Sequence, residues 1–528
     1  MNVLIATTST VESHFGDDNT AHIIHSTVAA DVAAAELAAA NVAATNAAHM
    51  VFVDAHLVLQ SPTHPLYSPL IQAIAQCCSS SHSVTLSSPH PHPSLYAVLA
   101  GIAAGSHADD TTISTTLLPS SSTVVGTGAK QTETVLASPA VLDSNAGSSS
   151  TYPLFQTATF VQPNALQNGN YDYTRSGNPT RRGAEAALGN AIASAGGLAV
   201  GSVSAFTVST GMTALSLVAQ LPPPSTCLAA CDDLYGGMHR LLTQVIVPQT
   251  GRSVHFVDIE DVGAVGELLD TADPPIGLLH IESPSNPLLK VADIRELASV
   301  CHDAGALLSV DNTMMCLGQS PLALGADIEI HSATKYLFGH ADTMGGVVAV
   351  RDPGLAQRLA FLINAQGLGL APFDAWLLLR SLRTLHVRVE RAVASATALR
   401  SWLESQPWVA SVNSTQASST HHSQALYDPP VISFVTAHGP EFAAALVDNC
   451  TLFKIAVSFG SVSSVIELPS AFSHASISDD SRKLDANLVR ISIGLESVSD
   501  LVSDLHQASH EASALTKTTN DQDDGHVQ

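Results

Sequence analysis

The sequence has few charged residues, no cysteine framework and no long apolar run. Its seven cysteines show neither the spacing of metal ligands nor that of a disulfide framework, which is typical of a protein from a reducing compartment. No stretch of 18 uninterrupted apolar residues occurs, so we expect no membrane-spanning helix. A net charge of −25 argues against nucleic acid or an anionic membrane surface as a partner. We predict no metal site.

Basic residues are also missing from the start of the chain, because no Lys or Arg precedes Lys130. A secretory signal needs a basic start, and an organelle transit peptide is rich in Arg and poor in acids. Residues 1–110 fit neither pattern and are rich in Ala, Ser and His. We therefore predict a low-complexity region there and assign no chemistry to it. The dinucleotide fingerprint G-x-G-x-x-G is absent from the chain, which argues against NAD.

Two apolar runs near the middle of the chain end abruptly in polar residues. Residues 306–310 lead into Asp311, and residues 326–330 lead into the run His331-Ser332-Ala333-Thr334-Lys335. Short apolar runs with polar punctuation are typical of interior strands of an α/β sheet. Because ligands of such sheets bind at the carboxyl ends of the strands, we expect Asp311 and Lys335 to lie at one edge of one sheet.

This combination of residues suits pyridoxal phosphate. The Lys335 amine can form the Schiff base with the aldehyde, and the hydroxyls of Ser332 and Thr334 can donate to the phosphate. Asp311 can keep the pyridine nitrogen protonated, so that the ring accepts electrons. Each residue alone is better explained by a solvated surface lysine or by an aspartate that caps a helix. The two together, each at a strand end, make the cofactor and the solvated interpretation about equally good, so the residues by themselves leave both open.

The run from His331 to Tyr336, followed by Gly339-His340-Ala341-Asp342, resembles the cofactor signature of the Cys/Met-metabolism family of pyridoxal-phosphate enzymes. The resemblance extends from about Tyr152 to about Gln507. It implies an α/β protein of pyridoxal-phosphate fold type I, similar to aspartate aminotransferase. Such a protein has a large domain with a mostly parallel sheet and a smaller α+β domain at its C-terminus. The strand–helix alternation in residues 203–350 independently predicts the parallel sheet.

The resemblance also implies a division of the chain. We expect an arm at residues 111–185 that contacts the neighbouring subunit, a cofactor-binding large domain at 186–400 and a small domain at 401–510. The polar residues 511–528 are expected to form a disordered tail. An arm shared between subunits makes a homodimer the minimal active unit, and the family's usual assembly is a tetramer.

Further cofactor contacts are implied by the resemblance alone. Tyr173 and Arg175 would reach the phosphate of the adjacent subunit's cofactor, Tyr235 would stack on the ring, and Asn286 would contact the ring's phenolic oxygen. Read locally, the run around Tyr173 and Arg175 is better explained by a solvated turn, and the alternative for Tyr235 is a turn residue packed on the core. The implied catalytic residues are Lys335 and Tyr235. The implied cofactor-binding residues are Tyr173, Arg175, Gly211, Met212, Tyr235, Asn286, Asp311, Ser332, Thr334 and Lys335.

Substrate recognition is expected at Arg490, which lies inside the apolar strand pattern of residues 488–493. An arginine inside a strand is uncommon without a partner. The resemblance makes Arg490 the clamp for the substrate α-carboxylate, since a guanidinium binds a carboxylate in bidentate fashion. Ser458 would be a second carboxylate contact. Members of the family that act at the γ-carbon commonly carry a glutamate before this serine, and this chain has Val457.

The absence of that acid favours β-elimination of L-cystathionine to homocysteine, pyruvate and ammonia, a step of methionine biosynthesis. Reaction at the γ-carbon, as in cystathionine γ-lyase or γ-synthase, is the alternative within the family. A non-catalytic scaffold that keeps the fold is the alternative of another class, and the joint presence of Lys335, Asp311, Tyr235 and Arg490 weighs against it. We expect a cytoplasmic location, with the plastid as the alternative because plant members of the family are plastid enzymes.

Overall fold

The computed structural model describes residues 131–137, 149–472 and 484–523, together with five short strands nearer the N-terminus. The chain divides into two compact units, residues 1–129 and 130–528. The strands of the first unit are β1 (Val3–Ile5), β2 (His22–Ile24), β3 (His49–Val51), β4 (Val84–Leu86) and β5 (Ile113–Thr115). β1 pairs with β4, β4 with β5, and β2 with β3, all in parallel. Most of residues 1–110, to which the sequence assigns no chemistry, lie outside the described residues.

The second unit is built on a seven-stranded sheet. Its strands are β6 (Ser204–Val208), β7 (Cys227–Cys231), β8 (Val254–Val257), β9 (Ile276–Glu282), β10 (Leu307–Asp311), β11 (Ile328–Ser332) and β12 (Gly346–Val350). The spatial order is β6-β12-β11-β10-β9-β7-β8, and β12 alone runs antiparallel to its neighbours. Strands β7, β9 and β12 are buried along their whole length, as expected for a parallel sheet covered on both faces. The predicted mostly parallel sheet is confirmed.

The helices of this unit begin and end at recognisable signals. The first six helices are α1 (Thr132–Ala137), α2 (Pro179–Ala195), α3 (Gly211–Val218), α4 (Gly236–Arg240), α5 (Val247–Thr250) and α6 (Val262–Thr271). The next five are α7 (Ile294–Asp303), α8 (Pro321–Leu324), α9 (Pro353–Gln366), α10 (Pro372–Leu382) and α11 (Leu385–Glu404). Asn178 caps α2, where its side chain accepts a hydrogen bond from the Thr180 N–H at 2.9 Å, and the Thr210 hydroxyl caps α3 by accepting from the Thr213 N–H. Gly367 closes α9 with a φ of 72°.

A five-stranded sheet and its helices form the smaller C-terminal part, as predicted. Its strands are β13 (Val409–Asn413), β14 (Val431–Thr436), β15 (Lys454–Ile455), β16 (Val465–Glu467) and β17 (Leu488–Ser492), in the order β13-β14-β17-β16-β15. Its helices are α12 (Ser419–Gln424), α13 (Pro440–Asp448) and α14 (Val498–Asp523). Its core contains the fully buried Phe434, Phe442 and Phe453. Among the described residues, no helix is both long and apolar enough to cross a membrane.

The structure corrects three of the predicted boundaries. The boundary at residue 185 falls inside α2, and the boundary at residue 400 falls inside α11. The tail predicted from residue 511 begins inside α14, which continues to Asp523. Leu501, Leu505, Ala508 and Ala512 follow one another at intervals of four, three and four residues, and all are fully buried in the small-domain core. The apolar stripe of α14 ends in alanine residues. The polar composition of residues 511–528 gives no sign of this stripe, so composition alone predicts a disordered tail.

Candidate active site

Lys335 lies in the loop that follows β11, at the carboxyl edge of the large sheet. Its Nζ donates to the Ser458 Oγ at 2.6 Å and lies 5.0 Å from the centre of the Phe459 ring. Burial, with a further contribution from the positive charge of Arg490, lowers the pKa of the Lys335 amine to about 8. A neutral Nζ is therefore available near neutral pH, which makes this amine both a nucleophile and a base.

Asp311 ends the neighbouring strand β10. Its carboxylate is linked through Thr313 to β11, the strand that precedes Lys335. It accepts hydrogen bonds from the Thr313 N–H at 2.9 Å and the Thr313 Oγ1 at 2.5 Å. The Thr313 hydroxyl in turn accepts from the Ser332 N–H at 2.7 Å. Burial raises the pKa of the Asp311 carboxyl, and the two hydrogen bonds from Thr313 oppose that shift. Asp311 is thus oriented before any ligand arrives.

Gly211 and Ser332 meet where α3 begins. A Cβ added to Gly211 would lie 2.9 Å from the Cβ of Ser332, so only glycine allows this approach. The first N–H groups of a helix have no acceptor within the helix, and they point to a site suited to an anion. The Thr334 hydroxyl lies close by in sequence and accepts from the Gly345 N–H at 3.2 Å. Predicted phosphate contacts from β11 and α3 are therefore brought together.

Tyr235 follows β7 on the same sheet and remains 40% exposed. Its N–H donates to the Glu282 Oε1 at 2.8 Å. A Cβ on Gly237 would lie 2.4 Å from the Tyr235 ring and 3.0 Å from the Met212 Sδ, so both side chains crowd this glycine. The fixed backbone and accessible ring leave Tyr235 able to cover a planar ligand.

Arg490 reaches the site from β17 of the small domain and is only 2% exposed. Its Nη1 donates to the Asn286 Oδ1 at 3.1 Å, and its Nη2 donates to the Ser458 carbonyl at 2.6 Å. Its Nη2 also lies 2.8 Å from the Oε1 of Glu467. Ser458 thus touches Lys335 through its hydroxyl and Arg490 through its carbonyl. The φ of Ser458 is +91°, which is unusual for a residue other than glycine.

Tyr173 and Arg175 have other contacts in the single chain. The Arg175 Nη1 donates to the main-chain carbonyl and to the Oδ1 of Asn364, both at 3.0 Å, near the end of α9. Its guanidinium carbon lies 5.8 Å from the centre of the Tyr173 ring. The Tyr173 side chain is 45% exposed. The structure therefore shows these two residues together, and their predicted role across a subunit interface stays a prediction.

Four residues of the site were not singled out from the sequence: Glu282, Thr313, Phe459 and Glu467. Phe459 lies in the same short run as Ser458 and could have been found there. Glu467 could have been found as an acid that ends an apolar strand, since a buried charge needs a partner. Glu282 carries no comparable signal, because its place beside Asp311 arises from pairing between strands. Thr313 could have been found from its position two residues after Asp311, a spacing at which an aspartate side chain accepts hydrogen bonds locally.

The model of the family described as Cys/Met metabolism PLP-dependent enzymes matches residues 133–510. The chain belongs to this family. It is 43% identical over 362 residues to the chloroplastic cystathionine β-lyase of Arabidopsis thaliana, covering 67% of this chain and 75% of that protein. It is 38% identical over 378 residues to the cystathionine β-lyase of Neurospora crassa, covering 70% and 80% of the two chains.

Solved structures agree with the family and the fold. The cystathionine γ-synthase of Xanthomonas oryzae pv. oryzae, in complex with cystathionine, superposes with a TM-score of 0.67 at 34% identity. The match covers 73% of this chain and 99% of that chain. The chain is therefore a fold type I member of a family of pyridoxal-phosphate-dependent enzymes, and a carbon–sulfur lyase by its relatives.

We predict that Gly460→Ala destabilises the protein far more than Gly305→Ala. Both glycines have positive φ, +79° and +72°, so both variants incur the left-handed backbone penalty of roughly 1 kcal/mol. A Cβ at Gly460 would in addition lie 2.8 Å from the backbone nitrogen of Tyr336, next to Lys335, whereas one at Gly305 meets nothing within 4 Å. Urea unfolding of the two variants measures the difference. Equal losses would show that the contact with the lysine loop is not tight.

Proposed function

We propose that this chain is a cystathionine β-lyase, which uses pyridoxal phosphate to convert L-cystathionine to homocysteine, pyruvate and ammonia. The observation that carries the proposal is the bridge made by Ser458. Its hydroxyl accepts from the Lys335 Nζ, and its carbonyl accepts from the Arg490 Nη2. A carboxylate site thereby lies directly beside a lysine amine, which suits an amino acid that must lose its Cα proton.

The residues present fit the cofactor. The crowded approach of Gly211 to Ser332 forms a cradle at the start of α3 that a Cβ would fill. Gly211, Met212, Ser332 and Thr334 would hold the phosphate there. Tyr235 would cover the ring and Asn286 would contact its phenolic oxygen. Asp311, fixed by Thr313, would hold the pyridinium nitrogen, and the Lys335 amine would bind the aldehyde carbon.

Arg490 and Ser458 would orient the substrate. The guanidinium is held by Asn286 and by the Ser458 carbonyl, so little freedom remains to be lost when it binds an α-carboxylate. Burial in the small-domain sheet strengthens this charge–charge contact relative to water. Fixing the carboxylate fixes the direction of the bonds at Cα, and it thereby selects the bond that breaks.

Lys335 would move the proton. Its lowered pKa, about 8, gives a neutral Nζ that removes the proton from Cα near neutral pH. When bound, the cofactor supplies an electron sink for the negative charge left on Cα. Asp311 would keep its negative charge beside the cofactor. Homocysteine would leave from Cβ as a thiolate and take up a proton, which Lys335 can return, and water would hydrolyse the remaining three-carbon fragment to pyruvate and ammonia. Tyr235, whose ring is accessible beside the site, would shield the face of the ring from water.

The choice of β- over γ-elimination rests on the two cystathionine β-lyases reported above and on Val457. Val457 precedes Ser458 and is 54% exposed, so no acid stands at this position to bind the distal ammonium of a γ-type substrate.

A homodimer is proposed as the active unit, with Tyr173 and Arg175 serving the partner subunit's site.

The location of the protein is proposed to be either the plastid or the cytoplasm, since the Arabidopsis relative is chloroplastic by name. Imaging the full chain fused to a fluorescent protein distinguishes a plastid location from a cytoplasmic one.

The first prediction is the product. Purified protein supplied with pyridoxal phosphate is expected to be yellow and to convert L-cystathionine to pyruvate, identified by mass spectrometry of the keto acid. Formation of 2-oxobutyrate would assign the chain to the γ-type reaction. A colourless protein that forms neither keto acid would favour the scaffold that keeps the fold without its chemistry.

A second prediction concerns Arg490→Lys. Lysine keeps the positive charge but loses the planar fork, so it can neither bind a carboxylate in bidentate fashion nor keep both contacts to Asn286 and Ser458. We expect KM for cystathionine to rise by about tenfold or more, a loss of roughly 1.4 kcal/mol or more in substrate binding. Arg358→Lys, on the outer helix α9, is the control and should leave KM unchanged. An unchanged KM in Arg490→Lys would remove Arg490 from substrate binding.

A third prediction uses the pKa of Lys335. Only the neutral amine can attack the cofactor aldehyde, and a pKa lowered to about 8 makes this form dominant above about pH 8. The rate at which pyridoxal phosphate reconstitutes the apoprotein should therefore rise with pH, reach half of its maximum near pH 8 and level off above about pH 9. Absorbance of the bound cofactor measures this rate. A rate that still climbs steeply at pH 10 would mean that Lys335 titrates like an exposed lysine.

A further inference from the structure

Arg490 faces a second buried charge, Glu467. The two residues are directly paired across the antiparallel strands β16 and β17. Arg490 is 2% exposed and Glu467 is 0% exposed. The Arg490 Nη2 and the Glu467 Oε1 are 2.8 Å apart. Arg490 is thus paired with an internal carboxylate before any substrate carboxylate reaches it.

The pairing is close but poorly aligned. Among the described residues, neither oxygen of Glu467 has a donor with hydrogen-bond geometry, although the guanidinium lies beside it. The Arg490 Nε also lacks an acceptor, while its Nη groups donate to Asn286 and Ser458. A buried carboxylate without aligned donors gains electrostatic attraction but few hydrogen bonds. Asn286 and Ser458 therefore hold the guanidinium in place, and Glu467 contributes mainly its charge.

An incoming carboxylate would be attracted by Arg490 and repelled by Glu467. The free Nε–H and the remaining hydrogens of the Nη groups can bind it. The charge of Glu467, in contact with the same guanidinium in a poorly solvated place, repels it. We propose that Glu467 is an internal counterion of Arg490 that competes with the substrate carboxylate and thereby sets the affinity of the site for carboxylates.

This proposal deepens the proposed function, since it rests on Arg490 as the carboxylate site. A short amino acid must overcome the repulsion with the Arg490 contact alone. A longer substrate with a second polar end gains further contacts away from Glu467 and can offset it. Because this repulsion acts on every carboxylate alike, Glu467 lowers the affinity for short and long substrates by the same factor, and only a substrate with further contacts still binds tightly. Glu467 thus sets the affinity of the site by acting through Arg490.

The test is the binding of propionate to the holoenzyme, followed by isothermal titration calorimetry. Propionate has a carboxylate and no amine, so it binds without reacting. Glu467→Gln keeps the shape and removes the charge, and we expect the propionate Kd to fall about tenfold. The KM for cystathionine should fall in parallel, with kcat changed less than twofold. Glu441→Gln removes an exposed acid from α13 of the same domain and should leave the propionate Kd unchanged.

Other outcomes overturn the proposal. An unchanged or higher propionate Kd in Glu467→Gln would mean that Glu467 supports Arg490 rather than competing for it. Glu467→Met, of similar volume and without charge, carries the same expectation if the glutamine variant does not fold. Glu467→Asp, which retains the charge, should stay within about threefold of the parent Kd, and a tenfold fall there would also contradict the proposal. Tighter propionate binding without any turnover of cystathionine would reject the proposed function and keep this inference.

Discussion

A guanidinium buried inside a strand is the constraint on which the site depends. Arg490 is fully buried in β17, and a charge in that position is tolerated only if its surroundings compensate it. The compensation comes from Asn286 on the large-domain side and from Ser458 and Glu467 on the small-domain side. Removing one partner of such a group costs about 3–5 kcal/mol, because the remaining charge stays buried. The charge therefore fixes the loop after β9 against the small domain.

The large sheet supplies the other half of the site through its topology. Parallel strands present their carboxyl ends at the same edge, and β7, β9, β10 and β11 run in parallel. Tyr235 follows β7, Asp311 ends β10 and Lys335 follows β11, although 100 residues separate the first from the last. Ser458 then closes the arrangement from the small domain with its hydroxyl on Lys335. Neither sheet contains the site by itself.

Much of this arrangement can be predicted from the sequence. Strands such as β7 and β12 are continuous apolar runs because both faces of the sheet are covered. Such runs can be recognised in the sequence without knowing which strands lie beside them. The polar residues after them mark the sheet edge. The end of α14 could not be predicted in the same way, since its burial depends on alanines that pack only in the folded domain. The contact of Glu467 was hidden because strand register, which no local pattern specifies, brings it to Arg490. Thr313 lies only two residues after Asp311, but its link to the Ser332 N–H depends on how the loop after β10 meets β11.

Register also explains how two acids coexist beside the lysine. Asp311 and Glu282 are paired across parallel strands, and both are removed from water. Two adjacent buried carboxyls cannot both ionise at low cost, and the charge of Asp311 adds to burial in raising the pKa of Glu282. Two hydrogen bonds from Thr313 stabilise the charged form of Asp311, whereas burial raises the pKa of Glu282 well above its usual range. A negative charge is therefore favoured on Asp311 over Glu282, and Asp311 is where a pyridinium would need it. Glu282 also accepts the Tyr235 N–H, so the strand partner of Asp311 positions the ring that covers the site.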